Sequence, residues 1–245
     1  MADWNDTSRS AQRLGSVPRA GGEVAGRYDE GLRKYMLSIY NYMASAVLLT
    51  GIVALVSANT GITLALAGSP LIWVVMLAPL GFVMAMSFGL NRMSQSTLNL
   101  LFWAYAVVMG LSLSTIFLVY TGESIATTFF ATAGAFAGLS LYGYTTKKNL
   151  SGLGSFLVMG VIGLIIASLV NLFLQSSAFA FVISGLGVLI FAGLTAYDTQ
   201  RLKMQYDQLR GTEFMGKAVI MGALSLYLDF INMFMFLLQF LGNRE

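Results

Sequence analysis

The chain has 245 residues, 57% of them hydrophobic and 10% charged, with 26 glycines against 3 prolines, a profile too apolar for an ordinary soluble domain and suited to a polytopic helical bundle. It contains no cysteine and no histidine, which removes disulfides, thiolate metal sites, His-Glu-x-x-His zinc centres, Ser-His-Asp triads and the serine–histidine dyad of intramembrane proteases. The net charge of +3 comes from tails and short loops between apolar runs, so membrane topology accounts for it better than a nucleic-acid partner does.

Residues 1–35 are polar and rich in Arg, Gly and Ser, without the continuous apolar core of a cleaved signal peptide. Residues 1–27 read as a flexible cytoplasmic tail, and residues 27–35 as the start of a helix feeding the first span. Residues 28–245 read as one domain. Seven apolar runs are long enough to cross about 30 Å of hydrocarbon, at 36–57, 71–90, 98–120, 124–145, 153–174, 178–199 and 218–240. The expected fold is an all-α integral membrane protein, a seven-transmembrane helix bundle whose short connections favour antiparallel neighbours.

Orientation follows from the basic residues. The tail, the loop at Arg92, the loop at Lys147 and Lys148, and the segment from Arg201 to Lys217 hold thirteen of the fourteen, leaving only Arg244 on the other side. The positive-inside rule then places the amino terminus in the cytoplasm and the carboxyl terminus outside. Gly134 with Gly138, Gly160 with Gly163 and Gly185 with Gly187 are expected close-approach points between helices.

Almost nothing ionisable remains inside the spans. Asp229, in LSLYLDFINMFMF, lies twelve residues beyond Lys217, or about 18 Å along a helix. Placing an aspartate there costs on the order of 3 kcal/mol, so it should face the bundle interior. Gly222, Ser225, Asp229 and Asn232 recur at intervals of three and four, forming one small, polar stripe. Asp229 either carries a proton and hydrogen-bonds a neighbouring helix, or titrates or coordinates a cation.

Asp198, in LTAYDTQRLK, admits two readings. It is a solvated partner of Arg201 three residues on; or, if QRLKMQYDQL extends the sixth helix, it sits inside with Thr195 on the same face and meets Asp229. Two carboxylates in a low-dielectric site would hold one proton between them, making a proton-sensitive latch. Arg92 serves as a positive-inside anchor, or reaches Asp198 in competition with Asp229. Ser38, Asn41 and Ser45 in the first span and Asn171 in the fifth are further candidates for the interior.

The segments FAGLTAYDTQRLK at 191–203 and ALSLYLDFINMFMFLLQFLG at 223–242, with seven spans and a basic tail, resemble the Bax inhibitor-1 family, also called the transmembrane Bax inhibitor motif family, in its bacterial members. The resemblance covers residues 28–242. It implies a central seventh helix surrounded by the other six, and a pH-dependent calcium leak sensed by an aspartate pair that falls on Asp198 and Asp229. It also implies an arginine latch, for which Arg92 is the candidate. The segment RLKMQYDQLRGTEFMGK, read as a loop, is longer than in eukaryotic relatives.

The expected function is a pH-sensitive cation leak channel or transporter in a bacterial inner membrane. Calcium is the expected permeant ion, bound weakly by Asp198 and Asp229, with protons as the signal and no tightly bound cofactor. An alternative is a membrane-embedded regulator of a membrane-bound AAA protease, a role linked to bacterial relatives; deleting residues 2–27 would abolish regulation and leave flux intact. An enzyme is not expected: the glycines of an aspartyl protease site are replaced by Thr199 and Gln200 after Asp198, and by Phe230 and Ile231 after Asp229.

Overall fold

The computed structural model describes residues 20–243, with side chains from residue 30 onward. Helix α1, Ala20–Asn59, begins inside the stretch read as tail; residues 1–19 of that stretch lie outside the described residues. After it come the short α2, Ile62–Ala67, then α3, Leu71–Gly89, and α4, Gln95–Leu113, prolonged by a 3-10 turn over Ser114–Leu118. The chain continues through α5, Gly122–Thr145, α6, Ser151–Leu174, α7, Ser177–Leu209, and α8, Met215–Leu241.

Seven of these helices are long and apolar enough to cross a membrane, at positions that match the seven runs in the sequence. Two further elements differ from expectation. The six-residue α2 sits in the first connection, entered through Gly61 at φ 78°; it is too short to register as a span. Helix α7 runs ten residues past its expected end, because QRLKMQYDQL is built mostly of straight-chain residues with good helix propensity. Most of the segment read as a long loop is therefore helix. The true connection is residues 210–214, turning at Gly211 with φ 78°.

Helix α8 is the centre of the bundle and the most buried span. It packs directly on α1, α4, α5 and α7, whereas α3 packs chiefly on α4 and α6 on α7. Its core side chains Leu226, Tyr227 and Met233 are almost wholly buried. The Tyr227 hydroxyl lies 2.8 Å from Thr50 Oγ1, which donates to the Ala106 carbonyl at 2.9 Å, joining α8 to α1 and α4.

Close approach governs the α5–α7 contact. A side chain at Gly143 would collide with the backbone carbonyl of Ala196, so only glycine lets these two backbones meet. Beside it, Ser140 and Thr199 hydroxyls are 3.2 Å apart, and Gln200 bridges the Lys148 carbonyl and the Leu150 N–H at 2.8 Å each. Gly187 likewise admits the Phe236 ring. Gly134 and Gly138 do not behave as expected: both are exposed, with nothing within 4 Å of where a side chain would begin. That face of α5 turns outward.

The connections after α3, α5 and α7 share one end of the bundle and carry Arg92, Lys147, Lys148 and Arg210. This is the basic end of the bundle.

Candidate functional site: an aspartate cleft divided by an arginine

Because α7 continues to Leu209, Asp198 lies eleven residues inside it, about 16 Å from the basic end. Its neighbour Ser225 is on α8, and Asp229 is one turn further along that helix. Both aspartates are 5% exposed. Helix α7 thus delivers one carboxylate and the polar stripe of α8 delivers the other.

Two groups, bonded to each other, hold Asp198. Arg201 Nη1 is 3.2 Å from Asp198 Oδ1, Arg201 Nη2 donates to Ser225 Oγ at 3.0 Å, and Ser225 Oγ donates to Asp198 Oδ2. The result is a closed triangle of guanidinium, hydroxyl and carboxylate across α7 and α8. Tyr197 stacks beneath, its ring centre 5.7 Å from the guanidinium carbon.

Asp229 stands apart from that triangle. Its buried Oδ2 has no hydrogen-bond partner among the described residues, although the charges of Asp198 and Arg201 both act on it. The two carboxyl groups face one cleft without a hydrogen bond between them; Ser225 occupies the position on Asp198 that a direct pair would use. An unpartnered polar atom at this depth is costly unless it is met by a proton, water or cation.

The cleft has a volume of about 680 Å³ and lies between α6, α7 and α8, with Asp198, Asp229 and Asn232 on its wall. It extends along α6 as far as Leu172, close to the end of that helix away from the basic end. A second hollow of about 360 Å³, between α3, α7 and α8, reaches Gln208 and Leu209 at the basic end. The two share Arg201, Ser225 and Leu228. Together their linings cover most of α7 and α8 and meet where Arg201 crosses to Ser225.

The remaining sequence candidates fall as follows. Asn232 lines the cleft, and its Nδ2 donates to the Leu228 carbonyl at 2.8 Å. Thr195 is fully buried but donates to the Phe191 carbonyl of its own helix at 2.8 Å, supporting α7 rather than the cleft. Arg92 does not reach Asp198: it is exposed in the turn after α3. Arg201, one turn from Asp198 on the same helix, fills the place assigned to it. Asn41 and Ser45 are exposed, Ser38 bonds the Lys34 carbonyl, and Asn171 accepts from the Ser176 N–H at the end of α6, so none joins the aspartates.

The signal for Arg201 was present in the sequence as the i, i+3 neighbour of Asp198. What hid its role was the end of α7, since a solvated rim pair and a buried one have the same spacing. Among the described residues no three or more Asp, Glu, His or Cys side chains cluster to hold a metal. Two carboxylates and nearby hydroxyl and amide groups fall short of the six to eight oxygens of a dedicated calcium cage.

The family described as inhibitor of apoptosis-promoting Bax1 matches residues 32–245. The chain is 49% identical over 219 residues to an uncharacterised protein of Rickettsia prowazekii, covering 89% of this chain and 93% of that one. It is 48% identical over 253 residues to an uncharacterised protein of Caulobacter vibrioides, covering 98% and 100%. It is 45% identical over 219 residues to the inner membrane protein YbhL of Escherichia coli K12, covering 88% and 94%.

Proposed function

We propose that this chain, which belongs to the Bax inhibitor-1 family, is a pH-sensitive cation leak channel or transporter of a bacterial inner membrane, with calcium as the permeant ion. The observation that carries the reading is the pair of hollows stopped at Arg201 and Ser225, with Asp198 and Asp229 buried beside the stop. The inner-membrane assignment follows the name of the similar YbhL protein, and the basic end is cytoplasmic by the positive-inside rule.

The gate works through competition for one guanidinium. With a proton on Asp229, that carboxyl is neutral and Arg201 remains on Asp198 and Ser225, closing the path. Loss of the proton puts a second anion at the cleft wall and draws Arg201 away from Ser225 toward Asp229. The constriction opens, and a cation replaces part of the lost positive charge. Flux therefore rises as pH rises. The charged and titratable groups facing the aspartates are Arg201 and Tyr197 of α7; Tyr35 of α1 also faces Arg201, and α3 and α6 bring none to the two hollows.

The protease-regulator role of the amino-terminal tail rests on residues mostly outside the described ones and requires no conduction. Calcium flux into liposomes, measured across pH for the parent, Asp198→Asn and Asp229→Asn, tests the channel reading. Both variants should lose the pH dependence; parent-like pH profiles in both would remove it.

A further inference from the structure

Helices α1 and α5 both pack on α8 but leave a gap between themselves. A hollow of about 680 Å³ occupies the gap, walled by Tyr40, Met43 and Val47 of α1 and by Phe136, Ala137 and Tyr144 of α5, with Phe230 of α8 as its floor. A second hollow of about 400 Å³ continues along the same two helices, sharing Val47, Phe129 and Phe230 with the first. On α1 the lining runs from Arg33 to Leu55. That is about 33 Å of helix, against about 30 Å of hydrocarbon, so the groove runs the depth of a bilayer core.

The two mouths differ in charge. At the basic end Arg33 is exposed on the groove wall. Lys203 stands behind Tyr144, its Nζ donating to the Tyr144 carbonyl at 2.8 Å and lying 4.8 Å from the ring centre. The far mouth, near Leu113 and Gly122, has no charged side chain in its lining. Lys34, next to Arg33, is already paired with Glu30 at 2.8 Å.

We infer that this groove is a binding site for an anionic phospholipid of the leaflet at the basic end, with an acyl chain lying over Phe230 and the headgroup phosphate on Arg33. A guanidinium exposed at the rim of an apolar slot matches a phosphate joined to a hydrocarbon chain. The joined hollows, about 680 and 400 Å³, suit a flexible hydrocarbon chain lying along them. The site is separate from the aspartate cleft, because Phe230 and Asp229 are successive residues of α8 and face different cavities.

The test places the full chain in nanodiscs of phosphatidylcholine containing spin-labelled phosphatidylglycerol or spin-labelled phosphatidylcholine, and counts motionally restricted lipid per protein. Phosphatidylglycerol should be retained about five-fold over phosphatidylcholine, the worth of one basic side chain beside an anionic group. Arg33→Gln should abolish that preference and Lys34→Gln should keep it. Ala137→Phe, which fills the slot from an exposed position, should remove the restricted lipid while the thermal midpoint stays at the parent value. Equal retention of the two lipids, a preference that survives Arg33→Gln, restricted lipid undiminished by Ala137→Phe, or a second copy found closing over Ala137 would each overturn the inference.

Discussion

Replacing Arg201 by alanine removes the side chain that separates the two hollows, and its effect on conduction can be worked from the geometry. A divalent cation passing about 4 Å from a guanidinium is repelled by about 2 kcal/mol in bulk water and about 8 kcal/mol at the effective dielectric of a protein surface. The Arg201 side chain is 38% exposed, which places the barrier between those limits, at about 4 kcal/mol. Removing it should raise calcium flux by about three orders of magnitude at the pH where the parent is closed. Stability should fall as well, since Asp198 loses its counter-ion. Breaking a fully buried pair costs about 3–5 kcal/mol, and the partial exposure of Arg201 together with the remaining Ser225 bond reduces this to about 2 kcal/mol. Calcium entry into liposomes at low and high pH, with a thermal midpoint on the same preparation, measures both. A destabilised Arg201→Ala protein that still closes at low pH would refute the gating role and leave Arg201 a structural counter-ion.

Two further variants separate the site from its surroundings. Arg92→Gln should leave both the flux and its pH profile unchanged, because Arg92 is exposed at the rim and makes no contact with Asp198; a shifted profile in the same liposome assay would restore it as a latch. Gly143→Leu should lower the thermal midpoint, because any side chain there meets the Ala196 carbonyl; overpacking of this kind costs about 1–3 kcal/mol.

The sequence disclosed the spans because membrane thickness sets a length that composition alone can satisfy, and no loop interrupted any of the seven runs. It disclosed Asp229 because a carboxylate amid apolar residues has few structural explanations. It could not decide where α7 ends, since residues 200–209 are polar in the way of both a surface loop and an extended helix. That one boundary determines whether Asp198 is a rim residue or a buried one, and whether Arg201 or Arg92 is its cation. Gly134 and Gly138 were misleading for a related reason: small-residue spacing marks a helix face that can approach another, but not which face does so. The hydroxyl of Ser225 appeared in the sequence as one member of a polar stripe. Its place between Asp198 and Arg201 depends on the crossing of α7 and α8, which no local pattern encodes.

The central claim is that the proton on Asp229 decides whether Arg201 closes the path. Asparagine has the shape of a protonated aspartate and cannot ionise, so Asp229→Asn should hold Arg201 on Asp198 and Ser225 at every pH. Calcium flux of Asp229→Asn liposomes should stay at the closed level of the parent from low to high pH. Flux that still rises with pH as in the parent would contradict the account.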